Sequence, residues 1–107
     1  MIVRLWRGIA PSAQAEEFKA YEREVGPPGY EKIKGNRGVF MLGRDLGEHY
    51  EIMMLTLWDS EDAIRAFAGE PIDKAKYYER DHEFLIDPPE KVEHFEVLYS
   101  SNLRTGG

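Results

Sequence analysis

The chain contains no cysteine among its 107 residues. Thiol catalysis, disulfide bonds and zinc sites built from cysteine are therefore excluded. Its three histidines, His49, His82 and His94, lack the close spacing that a metal site needs. The sequence also lacks a glycine-rich motif for binding phosphates. We therefore expect a protein without haem, flavin or metal.

Positive charge is scarce as well: 14 Lys and Arg stand against 20 Asp and Glu, which gives a formal net charge of −6. Nucleic acids and anionic membranes bind proteins through positively charged faces, so neither is an expected partner. The sequence has no basic-then-apolar leader and no apolar run long enough to span a bilayer. These absences favour a cytoplasmic protein.

An apolar fraction of 42%, with 12% aromatic residues, is enough to build one hydrophobic core. We predict a single domain over residues 1–102 and a flexible tail over residues 103–107. Strands are predicted over residues 2–9, 38–44, 49–58 and 92–99.

Helix signals separate these strands. One helix is predicted from Ser12 to a break at residues 26–29, where two prolines lie between two glycines. A second is predicted from a cap at Asp59 or Ser60 to Gly69, and residues 72–78 are predicted to add a short helical piece. The resulting βαββαβ order predicts an α+β, ferredoxin-like fold, in which a four-stranded antiparallel sheet carries both helices on one face.

The predicted strands carry apolar residues on both faces. On the last strand, His94 and Glu96 face one way while Phe95 and Val97 face the other. Because helices cover only one face of such a sheet, we expect a homodimer that buries the second face through sheet-to-sheet contact. The alternative is a monomer in which the second face of the sheet is partly exposed to solvent.

Three features resemble the antibiotic biosynthesis monooxygenase family of dimeric α+β barrels. They are the order of the elements, the stretch from Leu57 through Trp58 to Phe67, and the strand over residues 92–97. The resemblance extends from Met1 to about Ser100. It implies a pocket between the sheet and the helices of each subunit. The family includes cofactor-free oxygenases of polycyclic phenols and quinols, and haem-degrading enzymes.

The haem-degrading branch uses an Asn on the first strand, a Trp on the second helix and a His on the segment that follows. Counting without gaps, these positions hold Arg7, Phe67 and Tyr77 in this sequence. A tyrosine can ligate ferric haem. All three positions nevertheless depart from the pattern, so haem breakdown is not the expected activity.

The candidate catalytic residues are Arg7, Tyr77 and His94. In a cofactor-free oxygenase the deprotonated substrate reacts with dioxygen directly, which requires a base, a positive group and a dry apolar cavity. Arg7 is the candidate for stabilising the anion, and His94 or Tyr77 for handling the proton. A salt bridge at a dimer interface is the alternative role for Arg7.

The candidate substrate-pocket residues are Trp58, Phe67 and Tyr78. The alternative role for Trp58 and Phe67 is packing in the core. The alternative for Tyr77 and Tyr78 is a half-buried ring whose hydroxyl is solvated. The charged run over residues 79–83 is predicted to be a solvated face.

The sequence leaves three functions open. The first is a cofactor-independent monooxygenase, or a related oxidoreductase, that acts on a small aromatic phenol or quinol. The second is a non-catalytic dimer of the same fold that binds a ligand or has a structural role. The third is a haem-handling protein.

Overall fold

The computed structural model describes residues 1–101, and the predicted tail at residues 103–107 lies outside them. No helix within the described residues is long and apolar enough to cross a membrane. The short 3-10 turns Ser12–Gln14 and Asp81–Glu83 precede the first helix and the last strand. The main elements are β1 (Ile2–Pro11), α1 (Ala15–Glu31), β2 (Asn36–Asp45), β3 (His49–Trp58), α2 (Glu61–Ala68) and β4 (Glu93–Glu96).

The strands form one antiparallel sheet in the order β2-β3-β1-β4. β1 and β3 pair along their whole lengths, from Ile2 opposite Trp58 to Pro11 opposite His49. The Trp58 ring lies 6.3 Å from that of Tyr30 on α1 and 5.9 Å from that of Phe67 on α2. Both helices therefore cover the same face of the sheet, and the predicted ferredoxin-like α+β fold is confirmed.

Helix α1 continues through Pro27 and Pro28, so its predicted end at residues 26–29 is wrong. A proline within a helix removes one backbone hydrogen bond and costs about 3 kcal/mol. Here the carbonyls that lose their donors belong to exposed residues, where water can bond to them. Tyr30, in the last turn, is buried and stacks on Phe67 with 4.5 Å between the ring centroids. This burial favours the extra turn that the prolines oppose.

The predicted limits of helix α2 are confirmed. Ser60 is its N-cap, and the Ser60 hydroxyl accepts a hydrogen bond of 3.2 Å from the Ala63 amide. Gly69 follows the last turn with a φ of 81°, a conformation that glycine adopts without steric cost.

Residues 72–78 do not form the predicted helical piece. Lys74 instead pairs with Lys91 in an isolated antiparallel bridge. The Val92 amide donates to the Asp73 carbonyl at 2.7 Å. Beyond one turn bond, from the Lys74 amide to the Pro71 carbonyl, the backbone around residues 73–75 therefore bonds to the chain that leads into β4, which favours an extended course.

β4 is also shorter than the predicted strand over residues 92–99. It lies at the edge of the sheet and pairs only with β1, where Glu96 lies opposite Ile2. The Val97 amide donates the last bond, to the Met1 carbonyl at 3.0 Å.

Candidate functional site

Alternate residues of β1 lie on opposite faces of the sheet. Arg4 and Trp6 are buried on the inner face, which the helices cover. Arg7 is exposed on the outer face, opposite Met53 of β3. The structure therefore separates Arg7 from the helix-covered side where the resemblance implies a pocket, and it places a different arginine there.

Arg4 is only 1% exposed. Its Nη2 donates to the Lys74 carbonyl at 3.0 Å, and its guanidinium lies 5.2 Å from the centre of the Phe67 ring. Within residues 1–101 it forms no ion pair with a carboxylate, and its buried Nε has no hydrogen-bond partner. Burial lowers the pKa of this guanidinium from its ordinary value. A buried cation without a counterion is costly, so the position favours an anionic ligand.

Two buried carboxyl groups lie on the helix side of this space. Glu22 of α1 is 3% exposed, and Asp81 of the second 3-10 turn is 4% exposed. Burial and a hydrogen bond with Asp81 raise the pKa of Glu22 to about 9, so Glu22 is protonated at neutral pH. Asp81 Oδ2 accepts a bond of 2.5 Å from the Tyr78 amide, which holds the carboxylate in place.

The burial of Asp81 corrects the prediction of a solvated face over residues 79–83. Arg80, His82 and Glu83 are exposed as predicted, but the 3-10 turn directs Asp81 inward. A charged run does not reveal which of its members caps a turn.

Tyr77 and Tyr78 point into different surroundings. The Tyr77 hydroxyl accepts a bond of 3.5 Å from the Trp6 indole N–H and donates to the Pro89 carbonyl. The Tyr78 hydroxyl is buried and has no hydrogen-bond partner in the described residues. A Cβ atom at Gly29 would lie only 2.6 Å from the Tyr78 hydroxyl, so glycine there leaves room for it. Burial raises the pKa of both phenols, which keeps them protonated at neutral pH.

His94 lies directly opposite Arg4 in the pairing of β4 with β1, on the inner face. Its Nε2 is buried and has no partner in the described part of the chain. Burial and the nearby Arg4 charge lower the pKa of His94, so the imidazole is neutral at neutral pH. A neutral imidazole with a free ring nitrogen can accept or donate a hydrogen bond.

Apart from the hydrogen bond between Glu22 and Asp81, five side chains each have one buried polar atom that lacks a partner within residues 1–101. We call them the inner cluster: Arg4, Glu22, Tyr78, Asp81 and His94. A cavity of about 10 Å³ adjoins the cluster, with Trp6, Glu22, Tyr78 and Asp81 among its lining residues. That volume is about the room of one water molecule. Unsatisfied buried polar groups are rare in folded proteins, so their grouping here marks a candidate site.

Trp58 and Phe67 belong to the hydrophobic core. Trp58 is fully buried, and its indole N–H donates to the Thr56 hydroxyl at 2.8 Å. Phe67 is 5% exposed and lies between Tyr30 and the cations of Arg4 and Lys76. The ring of Phe67 therefore forms one wall of the Arg4 environment and also packs in the core.

Of the six predicted site residues, the structure brings Phe67, Tyr78 and His94 together with Arg4. Arg7 lies on the other face, and the Tyr77 hydroxyl is already bonded. Arg4, Glu22 and Asp81 were missed from the sequence. Alternation along β1 puts Arg4 and Trp6 on one face of the strand and Arg7 on the other, but the sequence does not say which face the helices cover.

A larger groove lies elsewhere, between α1 and the β2–β3 hairpin. Its volume is about 670 Å³, and it contains none of the predicted site residues and none of the inner cluster. It is open to solvent, and Lys19, which lies in it, is paired with Glu16 at 2.8 Å. No group of His, Asp or Glu side chains in the described residues is arranged to hold a metal ion. The inner cluster is therefore the stronger candidate for chemistry.

Solved structures with the same fold include haem-bound structures of one protein and a protein provisionally assigned as a monooxygenase. MhuD from Mycobacterium tuberculosis, a haem degrader with two haems in its active site, superposes with a TM-score of 0.67 at 21% identity, over 95% of this chain and all of that chain. An MhuD variant with two manganese protoporphyrin IX molecules per active site gives a TM-score of 0.64 at 19% identity, over 95% and 99% of the two chains.

A third structure is a Bacillus cereus protein provisionally assigned as an antibiotic biosynthesis monooxygenase. It superposes with a TM-score of 0.61 at 16% identity, over 95% of this chain and 97% of that chain. No protein-family model and no curated protein matches the sequence. At these identities the likeness concerns the fold alone, and the predicted fold is confirmed: the chain has the α+β fold of the antibiotic biosynthesis monooxygenase and MhuD structures.

Proposed function

We propose that the protein is a monooxygenase that binds a small aromatic phenol or quinol as its anion, against Arg4 on the inner face of the sheet, and uses no resident cofactor. The observation that carries this proposal is the buried Arg4 guanidinium, which has no carboxylate partner in residues 1–101. A bound phenolate supplies the missing negative charge. The fold shared with an assigned monooxygenase agrees with this activity.

The proposed oxygenation requires a substrate anion and a site that excludes water. A substrate with a CH2 group next to its phenol loses one proton, and the resulting anion passes electrons to dioxygen. The CH2 group becomes a carbonyl, one oxygen atom enters it, and the other leaves as water. Arg4 stabilises the negative charge, and Tyr78 and His94 are placed to bond the substrate oxygens.

Substrate entry requires the site to open, because the cavity at the inner cluster holds about 10 Å³. The connection from Gly69 to Arg80 lies over the site and contains no helix or strand. Such connections open at a lower free energy than sheet strands do. We infer that this connection moves outward when substrate binds.

A haem does not fit the residues present. The axial ligand would have to come from Tyr77, Tyr78 or His94, since the connection carries no histidine. Burial raises the pKa of both tyrosines, which opposes the phenolate that ferric iron binds. His94 lies opposite the cationic Arg4, so an iron there would add a second positive centre. We therefore assign no step to haem, although MhuD binds it.

Oxygen uptake tests the proposal. The purified protein, without added metal or cofactor, is mixed with phenols, quinols and hydroxyanthrones in an oxygen electrode. We expect uptake with at least one substrate, and one labelled oxygen atom in the product when the gas is ¹⁸O2. Binding without uptake would support a ligand-binding dimer, and uptake only after haemin is added would support a haem-handling protein.

We also propose that the outer sheet face forms a homodimer. This face carries a continuous apolar surface, in which Phe40, Leu42 and Phe95 are 39%, 41% and 48% exposed. Arg7 and the Arg44–Glu51 ion pair, 2.7 Å long, lie on the same face. An interface of roughly 1,000 Å² or more would cover the apolar surface and give Arg7 the interfacial role.

A further inference from the structure

The carboxyl pair of Glu22 and Asp81 has no role in the fold that requires two acids. One carboxylate, Asp81, is enough to accept the bond from the Tyr78 amide. Glu22 belongs to α1, and apart from the hydrogen bond between the two carboxyl groups, its buried Oε1 and Asp81 Oδ1 have no partner in the described residues. Both side chains line the small cavity that adjoins the inner cluster. Tyr78, which the proposed function assigns to the substrate, lines the same cavity.

We propose that Glu22 and Asp81 share one proton and act together as the base that takes the proton of the substrate. This inference rests on the proposed function and adds the residues that perform the proton transfer. The geometry carries it: two acids on different elements, each more than nine-tenths buried, hydrogen-bond to each other and line one cavity. A shared proton bridges the two carboxyl groups, and the pair as a unit can accept a second proton.

Charge balance favours the transfer. Before it, the pair carries one negative charge and Arg4 carries one positive charge. The O–H or C–H bond of the substrate breaks, its electron pair stays on the substrate, and the proton moves to Asp81. The pair is then neutral and the substrate anion lies beside Arg4, so the negative charge has moved without a new charge being buried.

The titratable groups around the pair do not compete with it for the proton of the substrate. The other titratable and charged side chains near the pair are Tyr30 from α1, and Lys76, Tyr77 and Tyr78 from the connection after α2. The three phenols have raised pKa values, so none of them competes for the proton at neutral pH. His94 lies opposite Arg4 on β4 and is also neutral.

The closing reaction returns the proton. Dioxygen adds to the substrate anion and gives a peroxide, which takes the proton back from the pair as a hydroperoxide. The hydroperoxide then loses water to give the carbonyl. The pair ends as it began, with one proton, so it is available for the next turnover.

The test uses infrared spectroscopy and an anaerobic titration of the whole protein. At pH 7 the wild-type spectrum should contain a protonated-carboxyl band that is lost in Glu22→Gln. The matched control is Glu51→Gln, since Glu51 is also buried but is paired with Arg44, and this substitution should leave the band unchanged. Absence of the band from the wild-type protein would overturn the proposal.

In the anaerobic titration, a hydroxyanthrone whose anion absorbs visible light is added under argon. The wild-type protein should form the anion band at pH 7, and Asp81→Asn should lower the rate of its formation about 100-fold while still binding the compound. The asparagine keeps the oxygen that accepts from the Tyr78 amide. Equal rates in the two proteins, or no anion with the wild-type protein, would overturn the proposal. Anion formation that is not followed by oxygen uptake when air is admitted would instead contradict the proposed function alone.

Discussion

Arg4 and His94 are direct cross-strand partners on the inner face of the sheet, where β1 pairs with β4. Two basic side chains in this relation repel each other when both are charged. Burial and the Arg4 charge together lower the pKa of His94, so the imidazole stays neutral beside the cation. The pair thus offers a substrate one fixed positive charge and one neutral hydrogen-bonding group.

This relationship predicts the titration of His94. By nuclear magnetic resonance, the pKa of His94 should lie below 6.5 in the wild-type protein and rise toward 6.5 in Arg4→Met. The resonances of the exposed His82 should not respond to that substitution. Because the folded-state pKa is lowered, the neutral form contributes stability above pH 6.5 that is lost as the pH falls through the folded pKa. A His94 pKa that is unchanged in Arg4→Met would contradict this coupling.

The raised pKa of Glu22 gives its contribution to the free energy of unfolding the opposite dependence on pH. Its pKa is about 9 in the folded protein and 4.5 as its ordinary value, so the folded state keeps a proton that the unfolded chain releases. The contribution of Glu22 to the free energy of unfolding should therefore be fully present below about pH 4.5 and be lost as the pH rises through the folded-state pKa of about 9.

Urea unfolding at several pH values measures this effect. The difference in stability between the wild-type protein and Glu22→Gln isolates the contribution of one group. That difference should change across this pH range, whereas the difference for Glu51→Gln should stay level. A level difference for Glu22→Gln would show that the residue is ionised in the folded protein.

Truncation of the Phe67 side chain is expected to lower the stability of the protein strongly. Its ring is buried, stacks on Tyr30 at 4.5 Å and lies under the Arg4 guanidinium. Phe67→Ala should lower the free energy of unfolding by about 3–5 kcal/mol, because the missing ring leaves a cavity. Phe67→Leu should cost less, since it keeps most of the apolar volume. Chemical denaturation of both variants measures the difference, and an equal, small cost would contradict a core position.

The outer face predicts the oligomeric state. Sedimentation should return twice the chain mass of 12.4 kDa, because a dimer covers the apolar outer surface. Leu42→Glu places a charge in this surface and should give monomers. Leu46→Glu is the matched control, since Leu46 is 47% exposed at the β2–β3 turn, outside the paired strands. A wild-type monomer, or a dimer that tolerates Leu42→Glu, would contradict the proposed interface.

The order of the elements along the chain and the limits of α2 could be predicted from local patterns. Ser60 and Gly69 are signals that depend on their own turn only, and the strands were indicated by apolar residues that favour strands. The course of α1 through Pro27 and Pro28 could not be predicted in this way, because burial of Tyr30 against Phe67 is a long-range contact. Tertiary contacts outweigh local propensity there.

The candidate site was harder to predict than the fold. Alternation placed Arg4 and Arg7 on opposite faces, but only the packed structure shows which face receives the helices. Asp81 lies in a run of charged residues, and its neighbours Arg80 and His82 are exposed. Asp81 alone is buried, because of a single 3-10 turn. A site assembled from β1, α1, β4 and a connection leaves no spacing in the sequence that could reveal it.

The most direct test of the account compares the two arginines of β1. Oxygen uptake is measured with the best substrate for the wild-type protein, Arg4→Gln and Arg7→Gln, with circular dichroism as a check on folding. Arg4→Gln should lower kcat/KM about 100-fold or more, because it removes the group that stabilises the substrate anion. Arg7→Gln should leave uptake per folded dimer within about threefold of wild type, since Arg7 lies on the outer face. Loss of turnover in Arg7→Gln, with Arg4→Gln folded and fully active, would contradict the central claim.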